Sequence, residues 1–372
     1  MSESMKPMKN QTSVPSLLTK KRWSIFSSGN YPYVCARVRA KRATLLPNDV
    51  YRKLLLMDTH EITRFLGESQ YKKEITELSV EATGFQLIDL ALNRNIAEVY
   101  QQILGFTEGD LTTLLGAYLQ REDIWNIKTI LRGKSYHAKP EEIMKAIRSA
   151  GQYPESYWQT IIQKSKTVQE AIELLKGNNY YEIIASFKDD WETNPDLCEN
   201  KLEHAYYQYL LNSIHSRSEA NRLFLDFVRE EIDLMNLKTL LMTKYESVES
   251  TTIFSMILSG GKITEKTMQR LISTPDFKQF LEELLTLPEH QSTRDYLGTI
   301  EKTGSLSSLI RALEKDHLTK ATKKSYLHPL SILPILDFFI RKRIEVENLR
   351  ILARAKEKGL PEQTIKELLV IP

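Results

Sequence analysis

The tripeptide Gly133-Lys134-Ser135 has the ending of a phosphate-binding loop, in which backbone N–H groups of a glycine-rich turn and a following lysine hold phosphate oxygens. The glycine required five residues earlier is missing, Lys128 standing in its place, and no strand pattern precedes it. Gly260-Gly261-Lys262-Ile263 lacks the hydroxyl residue as well and reads as a turn. Seven histidines, at positions 60, 137, 204, 215, 290, 317 and 328, include no pair at the three- or four-residue spacing that sets two ligands on one helix face, so no metal site is expected. Cys35 and Cys198 are too few for a disulfide framework or a four-cysteine zinc site, carry no local nucleophile signature, and are expected as small packed residues. Carboxylates are spread along the chain with no pair singled out for acid–base work. The expectation is a protein with no catalytic residue and no cofactor.

The elements that carry these residues are helical. With 41% hydrophobic and 27% charged residues, the 372-residue chain has the composition of a globular protein large enough for two or three domains. Only 14 glycines and 13 prolines are present, too few for the frequent turns of an all-β protein. From Tyr33 onward apolar residues recur at spacings of three and four, as in Tyr51, Leu54, Leu55 or Ile62, Phe65, Leu66, and period-two runs are absent. Asp58-Thr59-His60-Glu61 offers a helix cap with an acid three residues on, and Pro140-Glu141-Glu142 suits a first turn. No run approaches the roughly 20 apolar residues of a spanning helix. The longest candidate, Pro329–Ile340, contains Pro334 and Asp337, so any membrane contact is expected to be peripheral. The start of the chain lacks the apolar core of a secretory leader, which predicts a cytoplasmic location.

The chain resembles itself three times. An acid, two residues, Asn, Ile or Leu, then Lys or Arg, with a Lys further on, occurs as Asp123…Asn126-Ile127-Lys128…Lys134, as Asp233…Asn236-Leu237-Lys238…Lys244, and as Glu345…Asn348-Leu349-Arg350…Lys356. The asparagines are 110 and 112 residues apart. A fainter fourth copy opens at Cys35-Ala36-Arg37, and Tyr71, Tyr180 and Tyr296 mark corresponding places late in each unit. A period this long is too long for a solenoid repeat and fits duplicated helical domains, expected at 31–125, 126–235 and 236–347 with closing helices at 348–372. Three tandem copies suit a pseudo-threefold ring with a central hole. At 100° per residue, Asn126 and Lys134 fall near the apolar face of Ile127, Ile130 and Leu131, and Lys128 points away from it. Asn126, Asn236 and Asn348 are therefore expected as half-buried amides, and Lys134, Lys244 and Lys356 as lysines snorkelling between helices. Lys128, Lys238 and Arg350 are the candidates to face a partner.

Net charge is only +3, yet residues 1–53 hold eleven Lys or Arg against two acids. Residues 1–30 are polar and aperiodic and are expected to be a disordered basic tail. This basic end, Arg37 and Arg39 included, suits an acidic partner, anionic lipid or nucleic acid. Trp125, Trp158 and Trp191, with Tyr180, Tyr181, Tyr206, Tyr207 and Tyr209, could stack on single-stranded nucleic acid, but their helical spacing predicts packing, and no nucleic acid is expected as a partner.

Two segments are similar to a known family. Tyr31-Pro32-Tyr33-Val34-Cys35-Ala36-Arg37-Val38-Arg39-Ala40 resembles the opening Y-x-Y-V-N-A-R-V-R-A of the C subunits of A/V-type ATPases, a family similar to the d subunits of eukaryotic vacuolar ATPases. Glu347-Asn348-Leu349-Arg350-Ile351-Leu352-Ala353-Arg354-Ala355-Lys356 resembles its closing E-N-L-R-I-I-A-R-G-K. Cys35 stands where that pattern has Asn and Ala355 where it has Gly. The resemblance implies an all-α funnel of three similar domains, seated peripherally on the cytoplasmic side of a membrane proteolipid ring, whose cavity receives a shaft made by the D and F subunits. It implies a non-catalytic rotor part that couples the two during ATP synthesis or ATP-driven ion transport. A helical-repeat scaffold unrelated to ATPases would share the repeats but not these two segments.

Overall fold

The computed structural model describes residues 29–214, 218–287 and 306–371. Among them are eighteen helices and no strand. In chain order they are α1 (Tyr31–Arg42), α2 (Asn48–Leu54), α3 (Thr59–Gly67), α4 (Lys72–Leu78), α5 (Gly84–Gly105), α6 (Gly109–Ser135), α7 (Pro140–Lys145), α8 (Glu155–Lys164), α9 (Val168–Leu174), α10 (Tyr181–Ser186), α11 (Pro195–Ser213), α12 (Glu219–Tyr245), α13 (Ser250–Met256), α14 (Glu265–Ser273), α15 (Phe277–Thr286), α16 (Leu306–Leu327), α17 (Leu333–Glu357) and α18 (Glu362–Leu368).

Local signals act where the sequence puts them. Asp58 Oδ1 accepts from Glu61 N at 2.8 Å while Glu61 Oε2 accepts from Asp58 N at 3.0 Å, so two otherwise unsatisfied N–H groups of α3 are answered at once. Pro140 is the first residue of α7, where its missing N–H costs nothing. Residues 332–340 are all buried, because this apolar run forms the start of α17 in the middle of the protein. Among the described residues no helix is long and apolar enough to cross a membrane.

The repeated motif builds the same connection three times. Asn126 Nδ2 donates to Arg148 O and its Oδ1 accepts from Arg148 N; Asn236 does the same with Leu258, and Asn348 with Val370, all at 2.7–2.9 Å. In each case the partner lies 22 residues on. A side-chain amide is the one uncharged group that both donates and accepts in the plane of a peptide, so it can pin a returning loop to a long helix. The amides are fully rather than half buried. The acids three residues earlier receive the next turn of backbone: Asp123 from Gln152 N and Tyr153 N, Asp233 from Lys262 N and Ile263 N. Lys134 donates to Ile162 O and Ser165 O, and Lys244 to Ile272 O and Thr274 O. Each of these two lysines satisfies carbonyls at the end of a helix, α8 or α14, where a cation also suits the helix dipole. Lys356 makes no corresponding contact among the described residues.

In the third copy the chain turns to its own beginning. Glu345 Oε2 accepts from Leu46 N at 2.6 Å, just ahead of α2, as Asp123 and Asp233 accept from the residues ahead of α8 and α14. Tyr71 Oη and Lys342 Nζ, both buried, hold its other oxygen. The long α17 packs along α5 much as α6 packs along α11 and α12 along α16. Tyr71 and Tyr180 directly precede α4 and α10, equivalent short helices, and Tyr296 lies outside the described residues. The fourth copy is not reproduced: α1 is a separate short helix, and Cys35 Sγ donates to Ser331 O, since a thiol cannot exchange two bonds with a peptide.

The boundaries expected at 125/126, 235/236 and 347/348 fall inside α6, α12 and α17, each a continuous helix. The motif sits at the middle of these helices because it has to face the loop that returns to them. Of the tail expected at 1–30, residues 1–28 lie outside the described residues. Gly29 and Asn30 are ordered parts of the fold, Gly29 N donating to Asp110 Oδ1 and Asn30 bonding Phe106 O and Glu108 N.

Candidate functional site

The helices α6, α12 and α17 run parallel around a cavity of about 470 Å³. Their direction follows from two levels of contact at the repeat spacing. Tyr118 packs on Phe227 and Phe339, with centroids 5.9 and 6.2 Å apart, and one turn later Arg121, Glu231 and Arg343 meet. Phe224 joins the aromatic layer, which lies one turn behind the charged layer that lines the cavity. The cavity occupies the C-terminal halves of the three helices beyond the charged layer.

That charged layer is an Arg–Glu–Arg triad around the buried Glu231, with Arg121 largely covered and Arg343 about a third exposed. Arg121 clasps Glu231 with both guanidinium nitrogens at 2.7 Å, and Arg343 reaches Glu231 Oε1 at 3.4 Å. Burial pushes the Glu231 carboxyl up, but the charge and hydrogen bonds of Arg121, with Arg343 and His317 beyond, outweigh it and bring the group down to about 2. Burial drives the His317 imidazole the other way, below its ordinary value, so it is neutral at pH 7. Its Nε2 has no hydrogen-bond partner among the described residues. On the cavity wall Arg148 lies 4.1 Å over the half-exposed ring of Trp125, with Glu122 Oε2 at 3.8 Å.

The sequence candidates divide. Lys128, Lys238 and Arg350 occupy matching positions, and each is paired within the chain: Lys128 to Glu203 at 2.6 Å and Glu199 at 3.4 Å, Lys238 to Glu314 at 2.5 Å, Arg350 to Asp89 at 2.6 Å. They tie each long helix to α11, α16 and α5 respectively and are partly buried rather than free. Lys128 and Lys238 also reach the cavity rim. Arg37 and Arg39 are not part of its lining; they lie on the exposed face of α1, bonded to Tyr33 Oη and Pro329 O. Trp158 and Trp191 are wholly buried, so neither offers a stacking surface. Gly133-Lys134-Ser135 is the last turn of α6, and Gly260-Gly261 is a turn.

The triad is not among the sequence candidates, although its signal is present. Arg121, Glu231 and Arg343 each stand five residues before the repeat asparagine, so the three copies compared as columns show two cations and one acid at an equivalent place. Among the described residues no group of three or more His, Cys, Asp or Glu side chains is arranged to hold a metal ion.

Comparison with known proteins places this architecture. Residues 34–368 match the model of the family described as ATP synthase (C/AC39) subunit. The chain is 39% identical to the C subunit of the A-type ATP synthase of Methanococcoides burtonii over 347 residues, 93% of this chain and 95% of that protein. It is 38% identical to the C subunit of Methanosarcina acetivorans, over 92% of this chain and 94% of the relative, and 32% identical to that of Archaeoglobus fulgidus, over 92% and 96%.

Proposed function

The chain belongs to the ATP synthase (C/AC39) subunit family, and from that premise we propose that it is the non-catalytic central-stalk subunit of an A/V-type rotary ATPase, coupling a D–F shaft to the membrane proteolipid ring. It works on the cytoplasmic face, peripheral to the membrane, during ATP synthesis or ATP-driven ion transport. Three units arranged as a pseudo-threefold funnel do this: α6–α11, α12–α16, and a third made of α17 and α18 with α2–α5. This division keeps each long helix whole.

The observation that carries the reading is the cavity. It is lined at one end by a hydrogen-bonded ion triad, and its wall is three long helices each fastened to its own returning loop by a buried asparagine. A part that transmits torque needs stiffness and a seat for the shaft, and needs no reacting group. Exposed Trp125 and Met242 with the charged rim suit a partner that is held firmly. Lys128 and Lys238 contribute at the edge of that seat, and all three cations, Arg350 included, hold its wall in register by their ion pairs.

The test is to mix the purified protein with the D–F heterodimer and, separately, with the detergent-solubilised proteolipid ring, and to measure complexes by native mass spectrometry. Binding to both is expected. A folded protein that binds neither would return the scaffold reading to first place.

A further inference from the structure

The residue ahead of each repeat asparagine lines the cavity in all three long helices, and it is a different kind of side chain each time: Trp125 on α6, Met235 on α12 and Glu347 on α17. Successive residues are turned by about 100° on a helix, so an asparagine that faces its returning loop leaves its predecessor on another face, here the cavity. Trp125 is fixed: its Nε1 donates to Ala146 O at 3.3 Å, and Arg148 lies 4.1 Å over one side of the ring, which stays 42% exposed. Met235 is half-buried against the core. Glu347 is exposed and makes no hydrogen bond or ion pair among the described residues; it meets the field of Arg148 only across a gap longer than an ion pair.

The charges behind these side chains are uneven as well. On the first wall one cation, Lys128, answers two acids, Glu203 at 2.6 Å and Glu199 at 3.4 Å. On the second wall two cations, Lys238 and Arg311, share the one acid Glu314, at 2.5 and 2.6 Å. Between the first and third walls Arg148 stands against Glu347 and also Glu122, whose Oε2 is 3.8 Å away. The second wall therefore carries an excess of positive charge and the other two an excess of negative charge. These groups line a recess, where salt screens them less than on an open surface.

We propose that the cavity is keyed: Trp125 and Glu347, with the uneven charge of the walls, admit the shaft in one rotational setting, in which a basic side chain of the shaft meets Glu347 and an acidic one faces Lys238 and Arg311. The proposal rests on the reading of the cavity as the seat of the D–F shaft and on the threefold arrangement given above. A duplicated backbone by itself offers three settings a third of a turn apart, and an occupant free to change between them would slip under load. Turned to either wrong setting, the basic side chain of the shaft would face Lys238 and Arg311 or the Trp125 ring that Arg148 already occupies, so repulsion adds to the loss of the correct contact. Met235, a flexible thioether, adapts to what faces it and leaves the choice to the other two.

The C-caps of α6, α12 and α17, Tyr136, Glu246 and Lys358, give three matching reporters outside the key. All three are exposed, and none lines the cavity. Tyr136→Cys, Glu246→Cys and Lys358→Cys are each spin-labelled in the full-length protein and bound to a D–F heterodimer carrying one spin label off its axis, and the distance between labels is measured by pulsed electron resonance. Cys35 and Cys198 are buried and should take no label. Three different distances are expected, a single one from each position. With Glu347→Lys added, affinity for D–F should fall about tenfold and a second distance should appear at each position, with thermal unfolding unchanged. Glu347→Asp should keep the wild-type affinity and distances. The same mixture of distances at all three positions, or wild-type affinity and single distances in Glu347→Lys, overturns the key and leaves the coupling role standing. A folded protein that does not bind D–F at all overturns both.

Discussion

Asn348 and Val370 hold each other by two hydrogen bonds, the Asn348 amide donating to Val370 O at 2.7 Å and accepting from Val370 N at 2.9 Å. Val370 is thereby fixed against the cavity wall, and the last turn of described chain becomes part of that wall. Asn348→Ala leaves a buried N–H and C=O unanswered and should cost about 2 kcal/mol in urea unfolding. Hydrogen exchange should rise at Val370 and leave Arg148 and Leu258 unchanged, whereas Asn126→Ala should raise it at Arg148 and leave Val370 unchanged.

Glu231 is the single acid between two arginines, so removing its charge leaves the covered Arg121 guanidinium without its partner, facing the part-exposed Arg343. Glu231→Gln should destabilise by about 2–3 kcal/mol, less than for a fully buried pair because water reaches Arg343. Arg343→Gln should cost less than Arg121→Gln, because Arg121 supplies two bonds at 2.7 Å and Arg343 one contact at 3.4 Å. Equal costs in equilibrium unfolding would contradict this ranking.

Asp123 is raised to about 7, burial outweighing the two backbone N–H groups that favour its charged form. A carboxyl whose folded value lies above its unfolded one favours folding when protonated. That contribution is lost as pH rises from the unfolded value near 4 through about 7. Asp123→Asn should therefore have a flatter dependence of Tm on pH across this window than the wild type, and a change confined to lower pH would contradict the assignment.

A Cβ on Gly151 would collide with the Asp123 carboxylate, and one on Gly261 with that of Asp233. The loops approach so closely because their N–H groups must reach those oxygens. Gly151→Ala and Gly261→Ala should each cost about 1–3 kcal/mol in unfolding experiments, the usual strain of forcing an added methyl into packed structure.

Lys128 and Glu203 bridge α6 and α11 at 2.6 Å, both partly screened from water. A double-mutant cycle with Lys128→Ala and Glu203→Ala should give a coupling of about 1 kcal/mol. The exchanged pair Lys128→Glu/Glu203→Lys should recover most of the stability lost by Lys128→Glu alone.

Much of this is legible in the residues. Helical periodicity gives the class, and the spacing of Asn126, Asn236 and Asn348 gives the threefold duplication, because a side chain with one demanding geometric task leaves a recognisable trace at each copy. The tasks themselves are not legible. Amphipathic phase puts Lys134 near an apolar face, but only the return of α8 and its open carbonyls explains why the ammonium is buried there. Lys128 reads as exposed because its acid lies 75 residues away on a helix whose packing no local pattern reveals. The most recognisable residues invite unit boundaries beside them, yet they are mid-helix, because a helix is pinned at its centre and not at its ends.

In the proposed division the third unit is made of helices from opposite ends of the chain, α17 and α18 from the last part and α2–α5 from the first. During synthesis the first part leaves the ribosome long before the last, so the surface of α5 that α17 will cover is exposed while the two central units are being made. Closure of the protein then awaits the arrival of α17, and the slowest contacts to form are those of largest sequence separation, such as Leu46 with Glu345 and Asp89 with Arg350. A chain interrupted late in translation would carry two finished units and one bare half.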